Sequence, residues 1–549
     1  MNFEYELMNM NNVPYQTLLN KINIGFYFLD MSSSDNSKDS PSLSNESDKL
    51  ARVDVECFVQ EEYFIPKSKE HLVRAPAAQQ ENKNDKKEKK KKEKRPFVKI
   101  SLSERLCNSL VDVGPGEEPQ DCGYTNCKMQ HDVVKFLASK PPDAGPDCYV
   151  FDTFGYCPRG VTCRFGTSHL DTDGRNIRSQ QAEPGKNKFV LNKQEQVELR
   201  KKQYDFSLAD SVCQASWDLI NEASKSAESE NIEPPPEKKN RTVGPVSDED
   251  IVKLRQVEKR SLDWTGKTYL APLTTVGNLP FRRVCKGLGA DITCGEMALG
   301  LQLLQGHGAE WALTKKHESE DFFGVQLCGC SPPQMARVAQ LCEEKLDCDF
   351  VDINMGCPID LIYQKGMGSG LMARKRPLEN IVRTMSTILS KPLTIKMRTG
   401  IYSDKKIAHT VFPLVEEWGV AAITLHGRSR EQRYTKLADW EYIGDCAKTV
   451  QVPVFGNGDV LNYEDYNAAM EKSAVSGIML ARGALIKPWL FTEIKEQRHW
   501  DISAQERLDI VKNFCNFGLE HWGSDDKGVE NTRKFLLGKS ADRRRSDWH

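Results

Sequence analysis

The chain has 549 residues, a formal net charge of −2 and 17 cysteines. This length exceeds what one hydrophobic core usually supports, so more than one folded unit is expected. The cysteines are too dilute for a disulfide-rich scaffold, no secretory signal pattern opens the sequence, and no apolar run is long enough for a membrane span. We therefore expect a protein of the cytosol or nucleus that does not insert into a membrane. We also expect a monomer.

Residues 1–100 have the composition of a disordered arm. The serine-rich stretch 32–48 and the lysine-rich stretch 83–95 contain too little apolar surface to offset the entropy lost on ordering. The lysine-rich stretch has three interpretations: a nuclear localisation signal, an arm that binds nucleic-acid phosphates, or a solvated linker. The sequence leaves all three open.

Residues 101–171 are rich in cysteine and histidine and poor in long apolar runs. A segment with so little core needs another source of stability, which a zinc ion held by four ligands provides. The sequence predicts two Cys₃His zinc sites, formed by Cys107, Cys122, Cys127 and His131 and by Cys148, Cys157, Cys163 and His169. The alternative is that these cysteines are free structural thiols. Both sets resemble CCCH-type zinc fingers, a family whose members commonly bind RNA.

Residues 172–260 are mostly polar and charged and are predicted to be a linker. A lysine- and glutamate-rich pattern predicts one helix within it, around 192–204. The linker separates the cysteine-rich segment from a region of different character.

Between residues 261 and 500, eight short apolar segments alternate with helical patterns. Such alternation predicts a parallel sheet, and eight repeats in this length fit a closed (β/α)₈ TIM barrel better than an open doubly wound sheet. The region has neither a strand–GxGxxG–helix pattern nor a GxxxxGK[ST] loop, which argues against a Rossmann domain or a P-loop. In a TIM barrel the active-site face lies at the C-terminal ends of the strands.

Polar residues recur at these predicted strand ends. The sequences "GNGDV" (456–460) and "ARGAL" (481–485) follow strands seven and eight, where barrels often bind a cofactor phosphate through backbone N–H groups. Gln326, Lys396 and His426 end other strands and can hydrogen-bond a planar heterocycle. This combination favours flavin mononucleotide (FMN) as the cofactor of an FMN-binding barrel.

Several motifs occur in the order typical of one family. They include "YLAPLTTVGNLPFRRVC", "VDINMGCP", "LTIKMRTG", "VFGNGDV" and "LARGAL". Over about 262–500 the chain resembles tRNA-dihydrouridine synthases, and the two fingers are similar to those of a eukaryotic branch that acts in the variable loop of tRNA, at position 47. The resemblance implies reduction of the C5=C6 bond of a uridine in tRNA, with FMN as cofactor and NADPH (or NADH) as reductant.

The resemblance also implies residue roles. Cys357, in "NMGCP", matches the catalytic cysteine of the family and would donate the proton to C5; without the motif, an inert buried cysteine would be the natural interpretation. The implied flavin contacts are Pro272, Leu273, Thr274, Gln326, Lys396, His426, Asn457, Gly458, Asp459, Ala481 and Arg482. The candidates for contacts to the substrate base or RNA phosphates are Asn354, Lys365, Arg428 and Arg430.

In this family a helical tRNA-binding domain follows the barrel. Residues 501–549 match the start of such a domain, and the last dozen do not continue its pattern, so we expect a truncated domain. Two alternatives to an active synthase stay open. One is an RNA-binding isoform made inactive by the loss of this domain, and the other is a flavin oxidoreductase for a small molecule.

Overall fold

The computed structural model describes residues 101–179, 191–229, 262–434 and 436–546, without the side chains of 226–229 and 538–546. The arm predicted over 1–100 lies outside the described residues, as do two stretches of the predicted linker, 180–190 and 230–260. In the part of the chain that is described, no helix combines the length and apolar character needed to cross a membrane.

Nine parallel strands form one sheet in the described residues. They are β1 Thr268–Leu270, β2 Thr293–Cys294, β3 Ala298–Leu299, β4 Phe323–Cys328, β5 Phe350–Met355, β6 Leu393–Arg398, β7 Ala422–His426, β8 Val454–Asn457 and β9 Gly477–Leu480. Neighbours follow the order β1-β9-β8-β7-β6-β5-β4-β2, and β3 also pairs with β4. A parallel bridge between Tyr269 and Ile292 joins β1 to the start of β2. The sheet therefore closes, which confirms the predicted TIM barrel.

The second predicted strand, over 290–297, is shorter in the structure, where it forms only β2, and the additional strand β3 follows it directly. A Cβ on Gly295 would lie 2.6 Å from the carbonyl oxygen of Leu313, so the chain passes close to another backbone segment at the break. The carboxylate of Glu296 accepts a hydrogen bond from the backbone N–H of Thr275, in the loop after β1. These contacts replace continuous pairing with β4 at this point.

The α-helices of the described residues surround the barrel and extend the chain on both sides of it. They are α1 Val133–Ser139, α2 Tyr149–Phe154, α3 Lys193–Lys201, α4 Ser207–Ser229, α5 Leu279–Gly287, α6 Gly300–Leu304, α7 Gly308–Trp311, α8 Pro332–Lys345, α9 Asp360–Tyr363, α10 Lys375–Ile388, α11 Ala408–Glu417, α12 Trp440–Ala447, α13 Tyr463–Ser473, α14 Arg482–Ile486, α15 Leu490–Glu496, α16 Ala504–Trp522 and α17 Asp526–Ser546. The helix predicted around 192–204 corresponds to α3, and α4 follows it and packs against α8 and α10.

Side-chain caps fix where several of these helices begin. The side chain of Asn278 accepts a hydrogen bond from the backbone N–H of Phe281 at the start of α5, with Pro280 inside the first turn. Ser503 and Glu506 form a capping box at the start of α16. The caps set the directions in which α5 leaves the first strand loop and α16 leaves the barrel.

The barrel interior is packed with aromatic side chains at its N-terminal end. Tyr269, Phe350 and Phe455 meet edge to face, with ring centroids 5.6 to 6.0 Å apart for the pairs that include Tyr269. Trp264, which precedes β1, packs against Phe350 and Phe455 and closes this end. Space for a ligand is therefore left at the C-terminal ends of the strands.

Candidate active site

A cavity of about 320 Å³ opens at the C-terminal ends of the strands. All eleven predicted flavin contacts line it, together with Cys357, Asn354 and Arg428. The flavin contacts in question are Pro272, Leu273, Thr274, Gln326, Lys396, His426, Asn457, Gly458, Asp459, Ala481 and Arg482. The structure thus brings residues from seven strand ends to one site.

Cys357 lies in a turn, Asn354–Cys357, that begins as β5 ends. The side-chain oxygen of Asn354 accepts hydrogen bonds from the backbone N–H groups of Gly356 and Cys357, at 3.1 and 2.9 Å. A Cβ on Gly368, which has a φ of +55°, would lie 2.9 Å from the Cβ of Cys357, so glycine permits this approach. The Cys357 side chain is buried, and burial raises the pKa of its thiol. The thiol is therefore protonated at neutral pH.

Two basic side chains face the middle of the cavity. Lys396 donates a hydrogen bond to Oδ1 of Asn457 at 3.3 Å, and burial, together with the nearby charge of Arg398, lowers its pKa to about 8. Burial and the surrounding cationic groups lower the pKa of His426 well below its usual value, so its imidazole is neutral at pH 7. A charged lysine beside a neutral imidazole suits a planar ligand that has several acceptors and carries negative charge.

The turns after β8 and β9 form the other end of the cavity. The carboxylate of Asp459 accepts hydrogen bonds from Arg428 and Arg482, each at 2.7 Å. A Cβ on Gly483 would lie 2.3 Å from the carbonyl oxygen of Val460, so the two turns are in close contact. Nη1 of Arg428 is buried and has no hydrogen-bond partner among the described residues. Two arginine side chains, one with an N–H donor that has no partner in the described residues, fit a phosphate group.

The other two residues predicted to contact the substrate do not line the cavity. Lys365 is exposed, and its carbonyl oxygen accepts a hydrogen bond from the Cys330 thiol at 3.2 Å. Arg430 pairs with Asp360 and places its guanidinium carbon 3.8 Å from the ring centroid of Tyr363. Their contacts to RNA therefore stay predictions.

Several lining residues were missing from the predicted site. They are Ala271, Gly356, Pro358, Ile359, Arg398, Tyr434, Val460, Leu461, Met479, Leu480 and Gly483. Arg398 could have been included in the predicted site, because it follows Lys396 by two residues on one strand and so shares its inward face. Its guanidinium donates to the carbonyl oxygens of Gly356 and Ser429 at 2.8 and 2.9 Å, which ties the Asn354–Cys357 turn to the loop after β7. Tyr434 lies in that loop, where no periodicity marks it.

The second predicted metal site is assembled and buried. The ligand atoms of Cys148, Cys157, Cys163 and His169 all lie within 4.8 Å of one another. The sulfur atoms of Cys148 and Cys163 are 3.8 Å apart, and two thiolates on one tetrahedral zinc lie at about that separation. Nδ1 of His169 is 2.9 Å from Oδ1 of Asn176, whereas its buried Nε2 has no hydrogen-bond partner in the described residues. This geometry fits zinc bound through three thiolates and Nε2.

The first predicted site is also assembled but is more open. The ligand atoms of Cys107, Cys122, Cys127 and His131 lie within 4.8 Å of one another. The sulfur of Cys107 is 3.6 Å from that of Cys122 and 4.0 Å from that of Cys127. Cys107 is buried, while His131 is exposed. This cluster fits zinc as well.

A closed parallel barrel with a polar cavity at the C-terminal strand ends defines a TIM-barrel enzyme. Within that class, the family profile "Dihydrouridine synthase (Dus)" matches residues 269–536, and the profile "DUS3L CCCH zinc finger domain" matches 140–172. Together with relatives that are about half identical over most of its length, these matches place the chain in the dihydrouridine synthase family.

The most similar relatives include proteins named "tRNA-dihydrouridine(47) synthase [NAD(P)(+)]-like". The Xenopus laevis protein is 51% identical over 493 residues, which cover 86% of this chain and 74% of the relative. The Homo sapiens protein is 50% identical and covers 81% of this chain and 72% of the relative. Among solved structures, a variant of NCR from Zymomonas mobilis has a TM-score of 0.33 and 14% identity, covering 44% of this chain and 90% of that one.

Proposed function

We propose that this protein is an FMN-dependent tRNA-dihydrouridine synthase that reduces the C5=C6 bond of a uridine in the variable loop of tRNA, with NADPH as reductant. The observation that carries the proposal is the position of Cys357. Its protonated thiol lines the same cavity as Lys396, His426 and the two arginine-bearing turns. The names of the relatives, which include position 47 and NAD(P)(+), support the substrate and the class of reductant.

The residues present fit FMN. Arg428 and Arg482 would hold its phosphate, since Nη1 of Arg428 is a buried donor that lacks a partner in the described chain. Gln326, Lys396 and His426 would meet the polar edge of the ring system, where the charge of Lys396 offsets negative charge on the reduced ring. When bound, reduced FMN supplies the hydride that C6 of the uridine requires.

Cys357 would supply the proton to C5. Because burial raises the pKa of the thiol, the protein holds the proton on sulfur at neutral pH instead of losing it to solvent. The backbone N–H of Cys357 donates to Oδ1 of Asn354, and Nε of Arg398 donates to the carbonyl oxygen of Gly356. These two hydrogen bonds hold the turn and so fix where that proton is presented. This role needs an acid, so a nucleophilic thiolate is not required.

A uridine in folded tRNA must leave its stack before it can enter a cavity of this kind, at a cost of a few kcal/mol. Contacts to the rest of the RNA have to offset that cost. We assign part of this binding to the zinc-finger segment, because residues 140–172 match a CCCH zinc-finger profile and CCCH-type fingers commonly bind RNA.

The test is dihydrouridine formation on two substrates. Purified protein with FMN and NADPH is incubated with unmodified tRNA or with free uridine, and the nucleosides are quantified by mass spectrometry. We expect dihydrouridine in tRNA and none from free uridine. Product from free uridine alone would favour the small-molecule oxidoreductase, and tRNA binding without any product would favour the inactive RNA-binding isoform.

A further inference from the structure

A chain of hydrogen bonds starts inside the barrel, below the cavity. Asp352 lies on β5 two residues before Asn354, so both side chains point inward. In the parallel register its direct neighbours are Gln326 on β4 and Thr394 on β6. The hydroxyl of Thr394 donates to Oδ1 of Asp352 at 2.7 Å, and Nε2 of Gln326 donates to Oδ2 at 2.8 Å.

The chain continues upward to the catalytic cysteine. Nδ2 of Asn354 donates to Oε1 of Gln326 at 2.8 Å, and Oδ1 of Asn354 accepts from the backbone N–H groups of Gly356 and Cys357. An ionised carboxylate only accepts hydrogen bonds, and a backbone N–H only donates. The two amides are therefore fixed from both ends, because reversing either one would bring two donors or two acceptors together.

The count of bonding groups shows what this arrangement leaves for a ligand. The two backbone N–H groups occupy both lone pairs of Oδ1 of Asn354. Nδ2 of Asn354 has two N–H donors, and one of them is donated to Oε1 of Gln326. One N–H donor remains, which suits a carbonyl oxygen. The orientation of the Asn354 amide thus holds the Cys357 turn in place. It also determines that Asn354 presents an N–H donor, and not an acceptor, to the cavity.

We propose that Asp352 is a positioning residue: it fixes the orientation of Gln326 and Asn354 and so holds the turn that carries Cys357. Asp352 is 2% exposed and does not line the cavity, so it acts through these two amides. Its effect on turnover rests on the proposed function, whereas its effect on the Cys357 turn does not.

The protonation of Asp352 gives the arrangement a pH dependence. Burial raises the pKa of Asp352 to about 6, against the hydrogen bonds from Gln326 and Thr394. The titratable groups that face it are Lys396 on β6, Tyr269 on β1 and Cys294 on β2. A protonated Asp352 can donate as well as accept, so the amides lose their fixed orientation as pH falls through about 6.

Asp352→Asn tests the proposal with little change of shape. The new amide offers an N–H where the carboxylate offered only acceptors, so Gln326 can bind it in either orientation. We expect dihydrouridine formation at saturating FMN and tRNA to slow by about tenfold, the effect of one hydrogen bond of ordinary strength. We also expect faster alkylation of Cys357 by iodoacetamide, followed by peptide mass spectrometry, and loss of the acidic limb of the pH–rate profile.

Thr394→Val is the matched control, because it removes the other donor to the carboxylate and leaves the Asp352–Gln326 bond in place. The hydrogen bond from Thr394 lowers the pKa of Asp352, so its removal should move the acidic limb to higher pH while alkylation of Cys357 at pH 8 stays as in the native protein. If Asp352→Asn fails to fold, an unmoved acidic limb in Thr394→Val contradicts the proposal.

Native turnover, native alkylation of Cys357 and a native acidic limb in Asp352→Asn would overturn the proposal. The alkylation measurement needs no RNA and no reductant. Absence of dihydrouridine from the native protein would therefore reject the proposed function, while the alkylation rates would still decide the role of Asp352.

Discussion

At the scale of single residues, protonation states determine what the cavity can do. Burial keeps the Cys357 thiol protonated, burial and neighbouring cations keep His426 neutral, and burial brings the pKa of Lys396 down to about 8. Near pH 7 the site therefore contains a proton donor, a neutral ring and one charged amine. This set matches the transfer of a proton to carbon beside a negatively charged ring system.

Lys396 should make FMN binding depend on pH. Its pKa is about 8, and only the protonated form attracts an anionic ligand, so FMN affinity should fall as pH rises from 7 to 9. Lys396→Met should bind FMN roughly tenfold more weakly at pH 7 and lose this pH dependence. Fluorescence titration of FMN measures both effects.

Lys495→Met serves as the control, because Lys495 pairs with Asp291 outside the cavity. It should bind FMN as the native protein does at every pH. Equal FMN affinity at pH 7 and pH 9 in the native protein would show that the Lys396 ammonium does not stabilise negative charge on the bound FMN.

The sequence predicted which residues at strand ends lie together in the cavity, because the parallel strands of a barrel bring their C-terminal ends to one face. Cys357 and the predicted flavin contacts, which line one cavity, could be selected in this way, with the family motifs. Arg398 was left out of the predicted site, although strand periodicity marks it. Tyr434 and the Asp352–Gln326–Asn354 chain depend on loop conformation and cross-strand register, which the sequence does not specify.

At the scale of elements, a buried ion pair connects α5, which follows the loop after β1, to the segment before β4. Nε of Arg282 lies 2.7 Å from Oε1 of Glu320, and both side chains are almost fully buried. Glu320 also accepts hydrogen bonds from Thr293 and from the backbone N–H of His317. Burial alone would raise the pKa of Glu320, but Arg282 and these donors hold it below its ordinary value. The pair thus links α5 to β2 and to the segment before β4.

Removing one partner of this pair should be costly. Arg282→Met leaves a buried carboxylate uncompensated, and we expect a loss of about 3–5 kcal/mol in the free energy of unfolding, measured with urea. Because the folded-state pKa of Glu320 is lowered, the stabilisation is present above the ordinary glutamate pKa and is lost as pH falls. The loss caused by Arg282→Met should therefore shrink in acid.

Arg282→Met/Glu320→Leu should recover most of the lost stability, since no unpaired charge stays buried. Lys448→Ala, which breaks an exposed pair with Asp445, is the surface control and should cost less than about 1 kcal/mol. Similar losses for Arg282→Met and Lys448→Ala would contradict this account of α5.

The alternation of apolar and helical patterns predicted the barrel elements well, because each pattern reports local burial. It predicted strand two over 290–297, whereas β2 covers only Thr293–Cys294 and β3 was not predicted. The break at Gly295 reflects contacts with Leu313 and Thr275, which are close in space only after folding.

At the scale of the whole molecule, the second zinc-finger segment and the C-terminal helices lie against each other. Described residues from Leu102 onward belong to one compact unit. The hydroxyl of Ser524, between α16 and α17, is 3.3 Å from the sulfur of Cys157. Arg164 pairs with Asp526 at 2.6 Å, and Leu519 packs into the cysteine cluster. Metal binding should therefore support the junction of α16 and α17.

Loss of zinc from the second site should loosen this junction. We expect Cys163→Ser to increase amide hydrogen exchange over 519–529 while the barrel strands stay protected, because the contacts of Leu519 and Ser524 depend on the metal-bound fold. Cys122→Ser, which disrupts the first site, is the matched control and should leave exchange over 519–529 unchanged. Equal exchange in the two variants and the native protein would show that the junction is stable without zinc.

Composition distinguished the cysteine-rich segment from the rest of the chain, but it did not predict that this segment contacts the C-terminal helices. The contact between Cys157 and Ser524 joins residues 367 positions apart. Helix α4 likewise packs against α8 and α10, and Leu199 of α3 belongs to the barrel core, within a stretch whose polar composition predicted a linker. The predicted truncation of the C-terminal domain stays a prediction.

The central claim is that Cys357 is the proton donor in dihydrouridine formation, and one comparison tests it most directly. Native protein, Cys357→Ala and Cys328→Ala are each incubated with FMN, NADPH and unmodified tRNA, and dihydrouridine is measured by mass spectrometry. Cys328 is buried in the same apolar cluster but does not line the cavity, so its variant controls for the loss of a thiol. We predict product from the native protein and Cys328→Ala, and almost none from Cys357→Ala with FMN still bound. Native levels of product from Cys357→Ala would contradict the claim.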